Sequence, residues 1–278
     1  MTNIKSISCG DHTLDFKYTK LMGILNVTPD SFSDGGLFND VTIAIAHAKQ
    51  MAAEGADIID IGGESSRPGS QPLSEQEELK RILPIVKKLV KEISIPISID
   101  TYKPQVAKAC LKEGAHMIND ITGLLNQEMM DVVVQYDVPV VIMHMKDTPK
   151  IMQANPVYGN VVTEVKEFLL NRSTVAKNAG IKQIIIDPGI GFGKTLEHNL
   201  QLLRNLREFT MFGYPLLVGP SRKMFIGAIT GRPVTDRLEG TLAAVTIAIM
   251  NGANMVRVHD VKACKAAVQV VDAIRGIS

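Results

Sequence analysis

The chain has 278 residues, of which 45% are apolar and 21% charged, so a full hydrophobic core is expected. Its 30 basic and 29 acidic side chains nearly cancel, which argues against a nucleic-acid or acidic-membrane surface. Cys9, Cys110 and Cys264 lack paired spacing, which argues against a disulfide framework or a zinc knuckle. Without an apolar leader or a long apolar run, the sequence predicts a soluble, cytoplasmic protein that does not enter a membrane.

The first nineteen residues, 1–19, stand apart from the pattern that follows and predict a β-hairpin. Ile4–Ser8 and Leu14–Tyr18 flank Gly10-Asp11, which is a hairpin turn signal. We expect this hairpin to close the bottom of the fold formed by the rest of the chain.

From Lys20 onward, short β-rich runs alternate with longer helical patterns without a break. The predicted strands are Leu21–Val27, Ala56–Gly62, Ile95–Asp100, Met117–Ile121, Val138–His144, Gln183–Asp187, Pro215–Gly219 and Asn254–His259. Several of them are interpreted as continuously apolar, for example Ile58-Ile59-Asp60-Ile61. Such runs are expected for parallel strands that are covered on both faces.

The helical patterns between the strands often end in a C-cap glycine, which tolerates a left-handed backbone. The clearest helical patterns are Val41–Glu54, Glu75–Glu92, Val161–Ala179 and Leu238–Asn251, and the cap glycines are Gly55, Gly114, Gly180 and Gly252. Eight βα units in series predict one TIM (β/α)8 barrel, a single domain over residues 1–278. The alternative, an open doubly wound sheet, would more often show an N-terminal glycine-rich turn and fewer units.

Every predicted strand ends on a polar or ionisable side chain, and a TIM barrel builds its site at these ends. The residues are Asn26, Glu64 with Arg67, Asp100, Asn119 with Asp120, His144, Asp187, Ser221 to Lys223, and Arg257 with His259. A helix cap needs no further function, and Asp120 and Asp260 are interpreted as such caps. Eight polar strand ends at one mouth nevertheless predict a ligand site.

Two chemistries are indicated at this mouth. Carboxylate, amide and ammonium groups suit a flat heterocycle with donors and acceptors, such as a pterin or purine; they belong to Asp100, Asn119, Asp187 and Lys223. Arg257 and His259 share one face of the last strand and indicate an anion such as diphosphate, while Asn26 suits Mg²⁺ shared with phosphates. The glycine-rich segment 187–195 fits neither a P-loop nor a dinucleotide fingerprint.

With these motifs, the chain resembles the dihydropteroate synthase family, the pterin-binding barrels of folate biosynthesis, over nearly its whole length. The matching segments are GILNVTPDSFSDGG at 23–36, GGESSRPG at 62–69, SIDT at 98–101, ND at 119–120, DPGIGFGK at 187–194, SRK at 221–223 and RVHD at 257–260. The resemblance implies a transferase that joins 6-hydroxymethyl-7,8-dihydropterin diphosphate to 4-aminobenzoate and releases diphosphate by a dissociative, SN1-like route. It also implies a Mg²⁺ cofactor, sulfonamide inhibition and a homodimer through the outer helices.

The resemblance also implies roles for individual residues. The pterin would be held by Asp100, Asn119, Met143, Asp187, Lys223 and Arg257, and the diphosphate by Asn26, Arg67, Arg257 and His259, with Asn26 on the metal. The 4-aminobenzoate site would comprise Phe32, Ser66, Pro68, Phe192, Lys223 and Met224, and catalysis would involve Asp100, Arg67, Lys223 and Asp34. The segment 27–36 is expected to be a lid over the bound substrates.

Two residues depart from the family pattern. Ser66 stands where the family usually has threonine, and Met224 where many members place a serine that binds the 4-aminobenzoate carboxylate. Both changes put the affinity for 4-aminobenzoate and for sulfonamides in doubt. A pterin-dependent methyltransferase would have no use for the arginine–histidine pair, and a non-catalytic pterin-binding barrel would be expected to lose Asp100 or Lys223.

Overall fold

The computed structural model describes residues 6–27, 36–67 and 69–277. Within these ranges the chain forms a two-stranded hairpin and an eight-stranded parallel barrel. The strands are β1 Ser6–Cys9, β2 His12–Asp15, β3 Lys20–Asn26, β4 Ile58–Gly62, β5 Ile97–Asp100, β6 Met117–Asp120, β7 Val140–Met143, β8 Ile184–Asp187, β9 Leu217–Val218 and β10 Met255–Val258. The sheet order is β8-β7-β6-β5-β4-β3-β10-β9, and a bridge between Ile186 and Leu216 joins its two ends. The predicted TIM barrel is therefore confirmed.

Helices follow the barrel strands and cover the sheet. They are α1 Gly36–Ala53, α2 Glu75–Glu92, α3 Pro104–Lys112, α4 Gln127–Tyr136, α5 Val161–Asn178, α6 Leu196–Arg204, a 3-10 helix Leu206–Phe212, α7 Met224–Thr230, α8 Leu238–Met250 and α9 Val261–Ile274. The predicted cap glycines are confirmed, because Gly55, Gly114, Gly180 and Gly252 have φ between 100° and 105°. Within the described ranges, no helix combines the length and the apolar character that a membrane span requires.

The amino-terminal part of the barrel interior is an apolar layer that the hairpin closes. Inward side chains of the strands, such as Met22, Met117 and Met255, form one buried cluster with residues of the hairpin. The hairpin contributes Ile7, Cys9, Leu14 and Phe16 to this cluster. The predicted position of the hairpin at the bottom of the barrel is confirmed, and a ligand must enter from the other end.

Two residues beyond this apolar layer, toward the carboxyl ends of the strands, inward-facing side chains become polar. Successive inward positions on a strand are two residues apart, so Met117 is followed by Asn119, Ile185 by Asp187 and Met255 by Arg257. The outward residues stay apolar and pack with the helices, as Ile59 does with the larger core. This division places the polar groups at the carboxyl end of the barrel.

A buried charge cluster anchors the loop between β4 and α2, which carries Ser66 and Arg67. Nζ of Lys103 lies 2.6 Å from Oε2 of Glu78 and also contacts the carboxylate of Glu64. Glu64 further accepts hydrogen bonds from the Tyr102 hydroxyl, at 2.8 Å, and from the N–H of Leu73, at 2.9 Å. Because Glu64 begins this loop and Leu73 ends it, one carboxylate ties both ends of the loop together.

We expect Lys103→Met to lower the free energy of unfolding by about 3–5 kcal/mol, because it leaves a buried carboxylate without its cation. The side chain of Glu78 is only 1% exposed, so water cannot replace the lost partner. Lys87→Met is the matched control, since its pair with Glu113 is 51% and 34% exposed and should contribute about 1 kcal/mol at most. Urea denaturation measures both, and equal losses would contradict the role assigned to the cluster.

Candidate active site

A cavity of about 620 Å³ lies at the carboxyl ends of the barrel strands. The predicted site residues that line it are Asn26, Ser66, Arg67, Asp100, Asn119, Met143, Asp187, Phe192, Lys223, Met224, Arg257 and His259. Phe32, Asp34, Pro68 and most of the predicted lid lie outside the described residues. The barrel thus brings together side chains from widely separated segments, and their roles remain predictions.

Arg257 is held between two carboxylates inside the barrel. Its Nε donates to Oδ2 of Asp60 at 2.6 Å, and its Nη2 donates to Oδ2 of Asp100 at 2.7 Å. The Nδ2 of Asn119 also donates to Oδ2 of Asp60, at 3.0 Å. The predicted roles of Arg257 over the pterin ring and at the diphosphate stay predictions; in the structure this residue lines the cavity.

The strand β4 was predicted correctly, but it was described as apolar, and Asp60 was not named as part of the site. That description is wrong for Asp60, which is a fully buried carboxylate on the inward face of β4. Burying a charge is costly unless it is paired, so a single aspartate among isoleucines was itself a signal of an internal polar network.

Burial shifts the pKa values of the charged groups around the cavity toward neutrality. It raises the pKa of Asp100 to about 7, although the positive charge of Arg257 opposes the shift. It raises the pKa of Asp187 to about 6, against the hydrogen bond that the Gly189 N–H donates at 2.7 Å. It lowers the pKa of Lys223 to about 8, with the charge of Arg257 adding to the effect. Protonation at this end of the barrel therefore changes within the neutral pH range.

His259 offers a hydrogen bond rather than a positive charge to an anion. Burial and the nearby Arg257 lower the pKa of its imidazole to about 3. Its Nδ1 lies 3.0 Å from Oγ of Ser221, and its backbone N–H donates to the same oxygen at 3.2 Å. Ser221 thus fixes the orientation of the ring at the wall of the cavity.

The interpretation of Asp260 and of Asp120 as helix caps holds only in part. Asp260 occupies the N-cap position of α9, but its side chain makes no capping hydrogen bond; it accepts instead from Nε of Arg222 at 2.9 Å, which orders the wall near Lys223. Asp120 does accept backbone N–H groups, from Thr122 at 2.7 Å and Leu124 at 3.2 Å, but these belong to a turn, and Asn126 caps α4.

The glycine-rich segment after β8 is a wall of the cavity. A Cβ at Gly189, where φ is 68°, would lie 1.9 Å from the carbonyl oxygen of His144, so only glycine fits this close approach. Buried Lys194 donates to the carbonyls of Phe192, at 2.9 Å, and of His144, at 3.3 Å, and so holds the segment in place. The ring of Phe192 is therefore fixed with Nζ of Lys223 4.0 Å from its centroid.

For several other residues, the sequence-based expectation and the observed lining of the cavity differ. Glu64, Asp120 and His144 end or follow strands but are not part of the cavity lining. Met152 and Arg237 do line it and were missed. Both come from loops without a periodic pattern, so no sequence signal indicated that they fold back over the site.

Comparisons with known proteins agree with this geometry. The model of the pterin binding enzyme family matches residues 22–259. A dihydropteroate synthase of Clostridium beijerinckii is 47% identical over 260 residues, covering 92% of this chain and 94% of that protein.

Solved structures agree over the whole fold. A Yersinia pestis dihydropteroate synthase in complex with a sulfonamide drug superposes with a TM-score of 0.93 at 43% identity, covering 98% of this chain and 99% of the other. A Xanthomonas albilineans dihydropteroate synthase with 4-aminobenzoic acid superposes with a TM-score of 0.93 at 43% identity, covering 99% of each chain. Since sequence, fold and the matched segments agree over nearly all of its length, the chain belongs to the dihydropteroate synthase family of pterin-binding enzymes.

Proposed function

We propose that this chain joins 6-hydroxymethyl-7,8-dihydropterin diphosphate to 4-aminobenzoate, forming 7,8-dihydropteroate and diphosphate, as a transferase of folate biosynthesis. The observation that carries the proposal is the convergence of heterocycle-binding and anion-binding groups in one cavity. Relatives whose names and titles specify this synthase, 4-aminobenzoic acid and a sulfonamide drug support it. The buried cysteines are free thiols, which supports a reducing, cytoplasmic location.

The inner part of the cavity suits the pterin. Asp100, Asn119 and Asp187 offer acceptors to the amino-pyrimidinone edge, while Lys223 offers a donor to its carbonyl group. Met143 supplies an apolar contact for the ring. This combination favours a flat ligand with several N–H donors on one edge.

A second group of side chains in the cavity suits the diphosphate. Arg67, Arg257 and His259 supply charge and hydrogen bonds to it, and Asn26 lines the cavity at the end of β3. One amide oxygen fits Mg²⁺, which binds through few protein groups and completes its shell with water and substrate phosphates. When bound, the ion would neutralise negative charge on the leaving diphosphate.

A dissociative route follows from the chemistry of the two substrates. An aromatic amine is neutral near pH 7, so the nucleophile needs little general-base assistance, and the barrier lies in the departure of diphosphate. Arg67 and His259 stabilise the leaving group, while the carboxylate of Asp100 stabilises positive charge that spreads from the pterin methylene into the ring. Ser66, Phe192, Lys223 and Met224 surround the space for the 4-aminobenzoate ring.

The pterin-dependent methyltransferase is the weaker alternative. It would use the pterin-binding carboxylates, but it would not require the anion-binding wall at His259 and Arg67. Release of diphosphate by the purified protein, dependent on 4-aminobenzoate, tests the proposal directly. A protein that binds the pterin but releases no diphosphate would contradict it.

Asp100→Asn should keep pterin binding but lower turnover by roughly 100- to 1000-fold, because an acceptor remains while a preorganised charge is lost. Since burial raises the pKa of Asp100 to about 7, protonation should remove the same charge in the wild type as the pH falls. The ratio of wild-type to variant turnover at saturating substrates should therefore decline below about pH 7. Titration of the diphosphate cancels in this ratio, and a constant ratio between pH 5 and pH 8 would contradict the role of Asp100.

Met224→Ser should lower the KM for 4-aminobenzoate by about fivefold, since a hydroxyl bonded to a carboxylate contributes about 1 kcal/mol. Met224 is the first residue of α7, lines the cavity and is 63% exposed, so the change should not disturb the core. The matched control is Ile229→Ser on the same helix, which is 58% exposed and does not line the cavity. Steady-state kinetics with both variants measures the effect, and an unchanged KM in Met224→Ser would show that the helix backbone alone binds the carboxylate.

We also propose that the chain forms a homodimer through its outer helices. Ile247 and Met250 on α8 are 50% and 41% exposed, and Ile274 on α9 is 70% exposed, so apolar area remains for a second copy to cover. We expect sedimentation velocity to give twice the monomer mass of 30.3 kDa at micromolar concentration. A monomer under these conditions would contradict the proposal.

A further inference from the structure

We propose that buried Asp60 is a positioning residue that sets the hydrogen-bonding polarity of the pterin site by orienting Asn119 and Arg257. The inference deepens the proposed function and rests on it. Asp60 lies on the inward face of β4, is fully buried and is not part of the cavity lining, so it acts on a ligand only through the residues that it contacts.

Asp60 makes both of its hydrogen bonds through one carboxylate oxygen. One of its oxygens, Oδ2, accepts from Nε of Arg257 at 2.6 Å and from Nδ2 of Asn119 at 3.0 Å. The other oxygen, Oδ1, is buried and has no hydrogen-bond partner within the described part of the chain. The carboxylate is therefore committed to these two neighbours.

The hydrogen bond to Asp60 fixes the orientation of the Asn119 amide. A carboxylate only accepts hydrogen bonds, so the neighbouring amide must turn its NH₂ group toward Asp60. The carbonyl oxygen of Asn119 is then the atom left for a ligand, and Asn119 lines the cavity. Without Asp60, the amide could rotate and present a donor at the same place.

Asp60 also acts on the neighbouring acceptors, through Arg257. Arg257 uses Nε at Asp60 and Nη2 at Asp100, 2.7 Å away, so its planar guanidinium is fixed at two points. Asp100, the oxygen of Asn119 and Asp187 all line the cavity and then form a set of acceptors. Such a set recognises a heterocycle edge rich in N–H donors and rejects an edge that presents acceptors.

Asp60→Ala tests the inference, because it removes the acceptor that orients both side chains. We expect the Kd for 6-hydroxymethylpterin, which lacks the diphosphate, to rise about tenfold or more, equivalent to about 1.4 kcal/mol. The KM for 4-aminobenzoate should stay within about twofold, since neither hydrogen-bond partner of Asp60 belongs to the 4-aminobenzoate part of the cavity. Calorimetry and steady-state kinetics provide the two readouts.

Ser98→Ala is the matched control. Ser98 lies opposite Asp60 in the register of β4 and β5, is fully buried and has a hydroxyl without a hydrogen-bond partner among the described residues. It therefore shares the layer of Asp60 but makes no contact that would orient Asn119. Pterin affinity should stay within about twofold of the wild type, and an equal loss in both variants would overturn the inference.

Asp60→Asn separates orientation from the charge of Asp60. The oxygen of the new amide can take the place of Oδ2 and still accept from Arg257 and Asn119, so both side chains keep their orientation while the negative charge is lost. We expect the Kd for 6-hydroxymethylpterin to stay within about threefold of the wild type in Asp60→Asn, whereas Asp60→Ala raises it about tenfold or more. Equal losses in the two variants would overturn the inference.

Asp60→Asn also decides the question if Asp60→Ala does not fold, because the amide keeps the volume of the side chain and both hydrogen bonds. Retained pterin affinity then supports the inference, and a loss of about tenfold overturns it. Diphosphate release by the wild-type protein is measured separately. If the wild type releases none, the proposed function fails, whereas the pterin affinities still test the role of Asp60.

Discussion

The structure of the site depends on the burial of one guanidinium between two carboxylates inside a closed barrel. Arg257 on β10 reaches across β3 to Asp60 on β4 and Asp100 on β5. Charges in such a place are costly unless each has a partner and good geometry. The pairing makes an internal polar layer tolerable, and it fixes the groups on which the cavity is built.

The barrel separates this polar layer from its apolar base. The hairpin closes the bottom with side chains such as Phe16, so the charged groups face only the open end. The partial exclusion of water that follows moves the pKa values of Asp100, Asp187 and Lys223 toward neutrality. The same enclosure strengthens any electrostatic interaction with a reacting ligand.

Two buried lysines hold the loops around the cavity, and they do so in different ways. Burial opposes the charge of Lys103, but Glu64 and Glu78 raise its pKa, so it remains a fixed cation beneath the β4–α2 loop. Lys194 donates to the carbonyls of Phe192 and His144 and lies 3.0 Å from Nδ1 of the His144 ring, and burial lowers its pKa to about 7. The first lysine is one half of a charge cluster, and the second is a hydrogen-bond donor that orders the segment of Phe192.

The sequence by itself determined the barrel, the order of its strands and most of the polar strand ends that line the cavity. It could do so because the alternation of strand and helix is local, and because the carboxyl ends of parallel strands necessarily meet at one end of a barrel. The tertiary structure alone decided which of those polar groups neutralise one another. Asp60, the paired state of Arg257 and the loop residues Met152 and Arg237 depend on side chains far apart in the chain, and neither spacing nor periodicity encodes the distances between them.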